Sequence, residues 1–328
     1  MGLTVLEGCD SSQPGIRRMI DTMFSSISTR VLGVSLLSAA AMLGQVAIKL
    51  EGTTAHVSLG GKPFTSFYAV GANKPYLHPL RTASGKVITR NFPMADVAGE
   101  TRDHEHHRGL WFTHGDVNGW DFWANEPTQK GVGKGIGKVI LAGPVRVKGD
   151  TISSTFEWVD GQGTKLLRET RTMKFAAGPV IDFDFTLTAL VPVKFGDTKE
   201  GTFALRLRDE LTEKKGTAKL RSSTGGVGMK NVWGKAAPWV DYSGELEGEA
   251  VGVTIFDHPG NPRHPTTWHA RDYGLFAANI FGLHDFLNDK SKDGSMSLET
   301  GKSIRFRYRL AIHGYDAGAA FSAYANTR

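Results

Sequence analysis

One short stretch of the sequence, residues 102–123, concentrates side chains that could transfer protons or hold a ligand. It has the sequence RDHEHHRGLWFTHGDVNGWDFW and contains His104, His106, His107 and His114, four of the 11 histidines of the chain. An imidazole titrates near neutral pH and also ligates metals, so it can serve as acid, base or ligand. The interleaved tryptophans offer flat faces for stacking. The stretch therefore predicts one half of a polar active or binding site.

A second polar stretch, residues 256–274, has the sequence FDHPGNPRHPTTWHARDYG and adds His258, His264 and His269. Its prolines restrict the backbone, so side chains could be held there without regular structure. Seven of the 11 histidines thus fall in two stretches that are separated by well-patterned strands. We expect the two stretches to meet at one end of the sheets and to form a single site.

Acid–base chemistry without a metal is the first interpretation of these residues. A histidine paired with a carboxylate can transfer protons for a rate gain of about 10²–10⁴-fold. We expect His106 or His107 to act as acid or base, His269 to complete the catalytic set, and Asp121 or Glu169 to supply the carboxylate. Glu169 lies between arginines in LLRETRT, so an ion-paired strand face is the competing interpretation.

The expected substrate is a sugar or another polyhydroxy compound, either a small molecule or an oligosaccharide. Guanidinium groups bind carboxylates in a forked geometry, and indole rings offer a stacking surface. The predicted substrate-binding residues are Arg108, Trp111, His114, Trp120, His258, His264 and Arg271. The reaction would be hydrolysis, elimination by a lyase, or epimerisation. The absence of a G-x-S-x-G sequence argues against a serine hydrolase.

A metal site at His104 and His106 is the alternative. In an extended segment these two side chains point to the same side, which suits metal ligation. The sequence HEHHR nevertheless lacks the second histidine of H-E-x-x-H, because Arg108 stands there. We therefore expect no cofactor, and keep a divalent metal and a metal-dependent oxygenase or hydrolase as the alternative. A non-catalytic sugar-binding module is a third possibility.

Composition excludes few classes of protein. The chain has 328 residues, 40% hydrophobic residues, a net charge of +6 and a pI of about 9.3. The excess of basic residues forms no run of Lys or Arg, so it predicts a solvated basic surface and no nucleic-acid partner. The glycine-rich residues 130–138, KGVGKGIGK, lack the Gly-Lys-Ser/Thr ending of a phosphate-binding loop and predict a connector.

The N-terminal residues have the pattern of an export signal. A basic segment precedes the apolar run VLGVSLLSAAAML, which has 13 residues, and small residues follow it. A membrane-spanning helix needs about 20 apolar residues, so the run matches a secretory signal instead. We expect residues 1–45 to be an N-terminal extension and signal peptide, and the mature chain to be periplasmic or extracellular without a stable membrane span. Cys9 is the only cysteine, so the mature chain would contain no disulfide.

The remaining sequence predicts β structure. In IDFDFTLT, Ile181, Phe183, Phe185 and Leu187 alternate with polar residues, as in a strand buried on one face. The pair Gly60–Gly61 predicts a hairpin turn. Residues 222–272 show little regular pattern and predict a second irregular, site-forming region. The expected fold is all-β, a large antiparallel β-sandwich that forms a single domain over residues 46–328 with long loops.

Three strings carry a resemblance to a known family: DHEHHRGLWFTHGDVNGWDFW, VWGKAAPWVDYSG and GVTIFDHPGNPRHPTTWHARDYGLFAANIFG. They resemble the PmoA-like family, exported bacterial proteins of unknown function that carry a methane oxygenase label. This resemblance implies no established activity and no catalytic residues. Residues 164–190 are also similar, in the order of their strands, to galactose-mutarotase-like supersandwich proteins, which bind sugars on a concave face. That likeness implies a fold only.

Overall fold

The computed structural model describes residues 45–314 and 324–326, and β-strands dominate this part of the chain. The strands are β1 Val46–Glu51, β2 Thr54–Leu59, β3 Lys62–Tyr68, β4 Tyr76–Leu77, β5 Leu110–His114, β6 Lys138–Leu141, β7 Arg146–Lys148, β8 Thr151–Val159, β9 Lys165–Ala176, β10 Val180–Ala189, β11 Val193–Phe195, β12 Gly201–Arg206, β13 Lys219–Ser222, β14 Trp239–Leu246, β15 Glu249–Asp257, β16 Thr267–Ala270, β17 Leu275–Asn279, β18 Met296–Leu298 and β19 Ser303–His313. The helical elements are a 3₁₀ turn, Asp209–Leu211, and two single-turn helices, α1 Met229–Val232 and α2 Leu283–Phe286.

The strands form two large antiparallel sheets. The site sheet has eight strands in the order β1-β2-β3-β4-β5-β12-β17-β16. The second sheet has nine strands, in the order β13-β14-β15-β19-β10-β9-β8-β6, with β7 also paired to β8. Strands β11 and β18 form a separate two-stranded sheet. The turn between β2 and β3 is made by Gly60 and Gly61, both with positive φ, as the hairpin prediction requires.

The main core lies between the two sheets. Strand β10 buries Ile181, Phe183, Phe185 and Leu187 on its inner face, which is the predicted alternation. Phe112 of the site sheet stacks on Phe185 of the second sheet, with ring centroids 4.1 Å apart. Aromatic contacts of this kind join the two sheets face to face, so the prediction of an all-β antiparallel sandwich is confirmed.

A smaller apolar cluster covers the outer face of the site sheet. Ala204 of β12 lies between Trp111 of β5 and Ala277 of β17 in the strand register. These three residues pack with the buried indole of Trp123, which comes from the loop after β5. Because two of the three sheet residues are alanines, the sheet leaves room for a large ring. This outer face carries the candidate site.

The prediction of an irregular region over residues 222–272 is wrong. That segment contains the hairpin of β14 and β15 and also strand β16. Glu247 and Gly248 at its turn have φ of 51° and 77°, the positive values that a tight hairpin turn needs. The acidic and glycine residues around this turn hid the strand pattern.

The predicted signal peptide, except for residue 45, lies outside the described residues, so the boundary at 45 stays a prediction. Among the described residues, no helix has the length and apolar character that a membrane crossing requires.

Candidate active site

His107 lies buried against the outer face of the site sheet. Its ring stacks on Trp111, with centroids 5.2 Å apart, and Nη1 of Arg206 lies 3.2 Å from its Nδ1. An arginine only donates hydrogen bonds, so Nδ1 accepts and Nε2 carries the proton. Burial lowers the pKa of His107 far below its ordinary value, and the neighbouring His106 and Arg206 lower it further. His107 is therefore a neutral imidazole with a fixed tautomer.

Asp103 lies between two buried arginines, one of which, Arg206, also contacts His107. Oδ1 of Asp103 accepts hydrogen bonds from Nη1 of Arg90 at 2.5 Å and from Nη2 of Arg206 at 2.7 Å. Burial alone would raise the pKa of Asp103, but the hydrogen-bonding contact with His104 and the charges of Arg206, His104 and Arg90 lower it well below its ordinary value. Asp103 is therefore ionised at neutral pH.

His104 is the histidine of this cluster that reaches solvent. Its Nδ1 lies 3.1 Å from Oδ2 of Asp103, and 41% of its side chain is exposed. Its ring is stacked between those of His107, at 4.8 Å, and Tyr273, at 5.2 Å. The backbone of His104 has φ of 45°, a left-handed conformation that favours glycine. Strained backbone of this kind is frequent at functional sites.

His106 is neutral, and its ring contacts those of His104 and His107. Its Nδ1 accepts a hydrogen bond of 2.8 Å from Nε2 of Gln129. Burial lowers its pKa to about 2, and the positive charge of Lys74 adds to the effect. His106 thus remains uncharged throughout the physiological range.

Trp123 connects this histidine cluster to His269 of β16. Its ring lies 5.9 Å from His107 on one side and 6.4 Å from His269 on the other. Nδ1 of His269 donates to the carbonyl of Lys199 at 2.8 Å, which leaves its Nε2 as an acceptor. Burial lowers the pKa of His269 to about 3, with a smaller contribution from Arg271. The two stretches of the sequence meet here.

A buried lysine holds the loop that carries Trp123. Nζ of Lys74 donates to the carbonyl of Trp123 at 2.5 Å and to Oδ1 of Asn125 at 2.7 Å. The same Nζ lies 5.8 Å from the centre of the Trp111 ring. Burial lowers the pKa of Lys74 to about 7, although Glu126 and Asp121 act in the opposite direction.

The two predicted catalytic carboxylates have structural partners elsewhere. Glu169 is buried between the two sheets, where it accepts from Nε1 of Trp158 at 2.9 Å and pairs with Arg171 at 2.6 Å. Glu169 is therefore ion-paired, as the competing interpretation of the sequence predicted, but the pair lies in the core and not on a surface. Asp121 accepts backbone N–H groups of Trp123, Ala124 and Val132 and so shapes the loop. Neither carboxylate is brought to the histidines.

Three predicted binding residues also point elsewhere. Arg108 forms a forked ion pair with Glu126, with both contacts at 2.7 Å, beside the cluster. His114 lies on the inner side of β5 and donates from Nε2 to the carbonyl of Gly196 at 2.8 Å. Trp120 is half-buried and rests on Gly161. Trp111 does lie under His107.

The loop from 258 to 266 is not brought to the histidine cluster. Nδ1 of His264 contacts Oδ2 of the buried Asp257 at 2.7 Å, and Nδ1 of His258 accepts the N–H of Gly260. Within residues 45–314 and 324–326, no contact joins either histidine to residues 104–107. Of the second stretch, only His269 and the residues just after it therefore approach the first stretch. Strand β16 places them on the outer face beside β17, whereas the loop before it lies at the end of that strand.

The sequence patterns did not predict that Arg206, Arg90 and Lys74 belong to the site. Arg206 has a recognisable signal, because in TFALRLR it alternates with Phe203 and Leu205 and must face away from the core. Arg90 and Lys74 stand in segments without regular pattern, and no sequence signal marks them.

The predicted metal ligands His104 and His106 have ring centroids 5.7 Å apart. In the part of the chain that the structure describes, no three His, Cys, Asp or Glu side chains are placed to hold an ion together. Metal binding at His104 and His106 stays a prediction.

Residues 54–323 match a sequence family described as "Family of unknown function (DUF6807)". The chain belongs to this DUF6807 family. No curated protein matches the chain. The description of the DUF6807 family names no activity.

Several solved structures are similar to the DUF6807 chain at low identity. A galactose mutarotase-like protein from Lactobacillus casei is 9% identical, with a TM-score of 0.39, over 82% of this chain and 100% of that chain. A putative aldose 1-epimerase from Escherichia coli is 9% identical, with a TM-score of 0.38, over 82% and 99% of the two chains. Galactose 1-epimerase from Lactobacillus acidophilus is 8% identical, with a TM-score of 0.37, over 82% and 98%. At these scores the likeness carries no conclusion about activity.

Proposed function

We propose that this chain is an exported, carbohydrate-active enzyme that transfers protons through His104. The observation that carries the proposal is the contact of 3.1 Å between Nδ1 of His104 and Oδ2 of Asp103. A carboxylate at Nδ1 orients the ring and favours the tautomer that leaves Nε2 to accept a proton. Because the side chain of His104 is partly exposed, a substrate can reach it. This histidine–carboxylate pair replaces the pairs expected around His106, His107, Asp121 and Glu169.

The buried residues support His104 without needing to titrate. His107 stacks under it, and the arginines on either side of Asp103 keep that carboxylate ionised. The neutral state of His107 avoids a repulsion that a second cation would exert on a protonated His104. The cluster can therefore let one imidazole change charge while the others remain neutral.

The aromatic surroundings support a sugar as the substrate. Tyr273 and Trp233 are half-buried beside His104 and His269, respectively, so parts of both rings remain accessible. Such faces suit the apolar side of a pyranose, while histidine and arginine suit its hydroxyls. The reaction class remains the one predicted from the sequence: hydrolysis, elimination or epimerisation.

Product formation with a panel of glycosides and free sugars, followed by NMR in D₂O, tests the proposal. Solvent exchange at a sugar C–H position would report epimerisation through deprotonation of that carbon, a new carbon–carbon double bond would report elimination, and new reducing ends would report hydrolysis. We expect His104→Ala to lose at least about 10²-fold in rate, and we expect His56→Ala, which alters a partly exposed histidine of β2, to retain full activity. Full turnover by a folded His104→Ala protein excludes His104 as the catalytic group.

Two results would favour the alternatives. Binding of sugars without any product would indicate a binding module. About one metal ion per chain that is lost in a His104→Ala, His106→Ala variant would support a metal-dependent oxygenase or hydrolase, the activity that the PmoA-like label suggests.

A further inference from the structure

Arg271 differs from the other arginines of the site in having no acidic partner. Arg108 is paired with Glu126, and Arg90 and Arg206 share Asp103. Among the described residues, no Asp or Glu side chain forms an ion pair with Arg271. Its guanidinium lies over the ring of Trp233, 4.1 Å from the centroid. A guanidinium that forms no ion pair and remains partly exposed is available to an anion from outside the chain.

The orientation of this guanidinium is fixed from behind. Nε of Arg271 donates to Nε2 of His269 at 3.3 Å. His269 can accept this bond because its Nδ1 proton is engaged by the carbonyl of Lys199. In the described part of the chain, Nη1 and Nη2 of Arg271 make no hydrogen bond. Two parallel N–H donors in a rigid plane are the geometry that binds a carboxylate through two bonds.

The nearby acidic groups do not offset this charge. Glu200, whose Oε2 lies 3.8 Å from Nδ1 of His269, is paired with Nζ of Lys199 at 2.9 Å. Lys74, on the other side of Trp123, bonds only to neutral carbonyl groups. Burial lowers the pKa of His106, His107 and His269, so these three histidines add no positive charge at neutral pH. The charge of Arg271 is therefore not offset by an ion pair with these groups.

The same face also has buried donors without partners in the described residues. Nε1 of Trp111, Nε1 of Trp123 and Nε of Arg206 are all buried and make no hydrogen bond. Each of these atoms can only donate. Oγ1 of Thr113 and Oγ1 of Thr202, which are neighbours across β5 and β12 on this face, are also buried without a partner, and a hydroxyl can accept as well as donate. These buried atoms therefore do not select the class of ligand, and the inference rests on Arg271.

We propose that the ligand of this site is a sugar acid whose carboxylate binds the Nη1 and Nη2 groups of Arg271. This inference rests on the proposed carbohydrate function and adds a substrate class to it. The carboxylate meets the unpaired guanidinium, the sugar ring lies toward Tyr273 and His104, and its hydroxyls supply further acceptors. A neutral sugar would leave the charge of Arg271 uncompensated.

Isothermal titration calorimetry of the full chain with matched sugars tests the inference. The probes are D-glucuronate and D-galacturonate, each compared with D-glucose or D-galactose, which lack the carboxylate. We expect the acids to bind at least about 10-fold more tightly, as a charge-assisted bidentate contact would give. Arg271→Gln should abolish this preference, and Arg271→Lys should retain only part of it. Arg146→Gln removes one exposed arginine from β7 of the second sheet and should change nothing.

The outcomes separate this inference from the proposed function. Equal binding of acid and neutral sugars overturns the sugar-acid class and leaves carbohydrate binding intact. Tight binding of the acids without any turnover supports the sugar-acid class while removing the enzymatic proposal. Unchanged binding of the acids by a folded Arg271→Gln protein overturns the role of Arg271. Binding of none of the four sugars overturns the inference together with the function on which it rests.

Discussion

Oδ2 of Asp103 lies 3.1 Å from Nδ1 of His104, the next residue in the chain. In an extended segment, neighbouring side chains point to opposite sides. The left-handed backbone of His104, with φ of 45°, turns its side chain back toward that of Asp103. Such a conformation costs on the order of 1–3 kcal/mol in a non-glycine residue. The hydrogen bonds from Arg90 to the carbonyls of Asp103 and His104 hold it in place.

Asp103→Asn should destabilise the fold as well as the site. The substitution leaves Arg90 and Arg206, whose side chains have 0% exposure, without a negative partner. We expect the free energy of unfolding to fall by about 2–3 kcal/mol, below the cost for a fully buried pair because Asp103 is partly exposed. Urea unfolding measures this change. Asp96→Asn, which breaks an exposed ion pair with Arg102, should cost less than about 1 kcal/mol; equal losses in the two variants would contradict the role of Asp103.

Lys74 should make stability rise between pH 7 and pH 9. Its pKa is lowered to about 7 in the folded chain, so the unfolded chain binds more protons over this range. The resulting gain is about 2 kcal/mol, and it would continue up to the ordinary lysine pKa near 10.5. Denaturant unfolding at the two pH values should show this gain in the wild-type chain but not in Lys74→Met. The same slope in both proteins would show that Lys74 is not responsible.

The buried neutral histidines should make the protein sensitive to acid. His269 has a pKa of about 3 when folded, against an ordinary value of 6.5. His269 binds a proton in the unfolded chain at a pH at which it stays neutral in the folded chain. The free energy of unfolding therefore decreases as the pH falls below about 6.5. Between pH 7 and pH 5 this histidine should account for about 2 kcal/mol. His269→Gln should reduce the loss measured by urea unfolding at the two pH values by that amount, and an equal loss in both proteins would contradict this role of His269.

Trp123→Ala should test whether the outer cluster is a second core. The indole is buried over Ala204 and Ala277, and its removal would open a large cavity. We expect a loss of about 3–5 kcal/mol in the free energy of unfolding. Trp120→Ala, which truncates a half-buried indole of the same loop, should cost clearly less. Comparable thermal shifts for the two variants would indicate that Trp123 does not anchor the loop.

The fold could be predicted from the local alternation of strand residues, whereas the site is built by contacts between residues that are far apart in the sequence. The alternation from Ile181 to Leu187 needs only the local period of a strand, and β10 follows it. The contact between Arg206 and His107 joins residues 99 positions apart and depends on the register of β5 with β12. Lys74 meets the carbonyl of Trp123 across 49 positions. No local pattern encodes such pairings, so the histidine stretch was predictable and its supporting charges were not.

Ala204 and Ala277 mark the place where the sheet and the loop after β5 meet on the outer face. The sheet supplies a shallow socket, and the loop after β5 supplies the tryptophan that fills it. Exposed residues of this loop can change without removing a contact with the strands below, whereas Phe122 of the same loop packs on Trp158 of β8 and cannot. The chemistry of the surface could thus diversify among related chains while the β framework stays the same, and an engineer seeking a new substrate would begin with the loop and leave both alanines untouched.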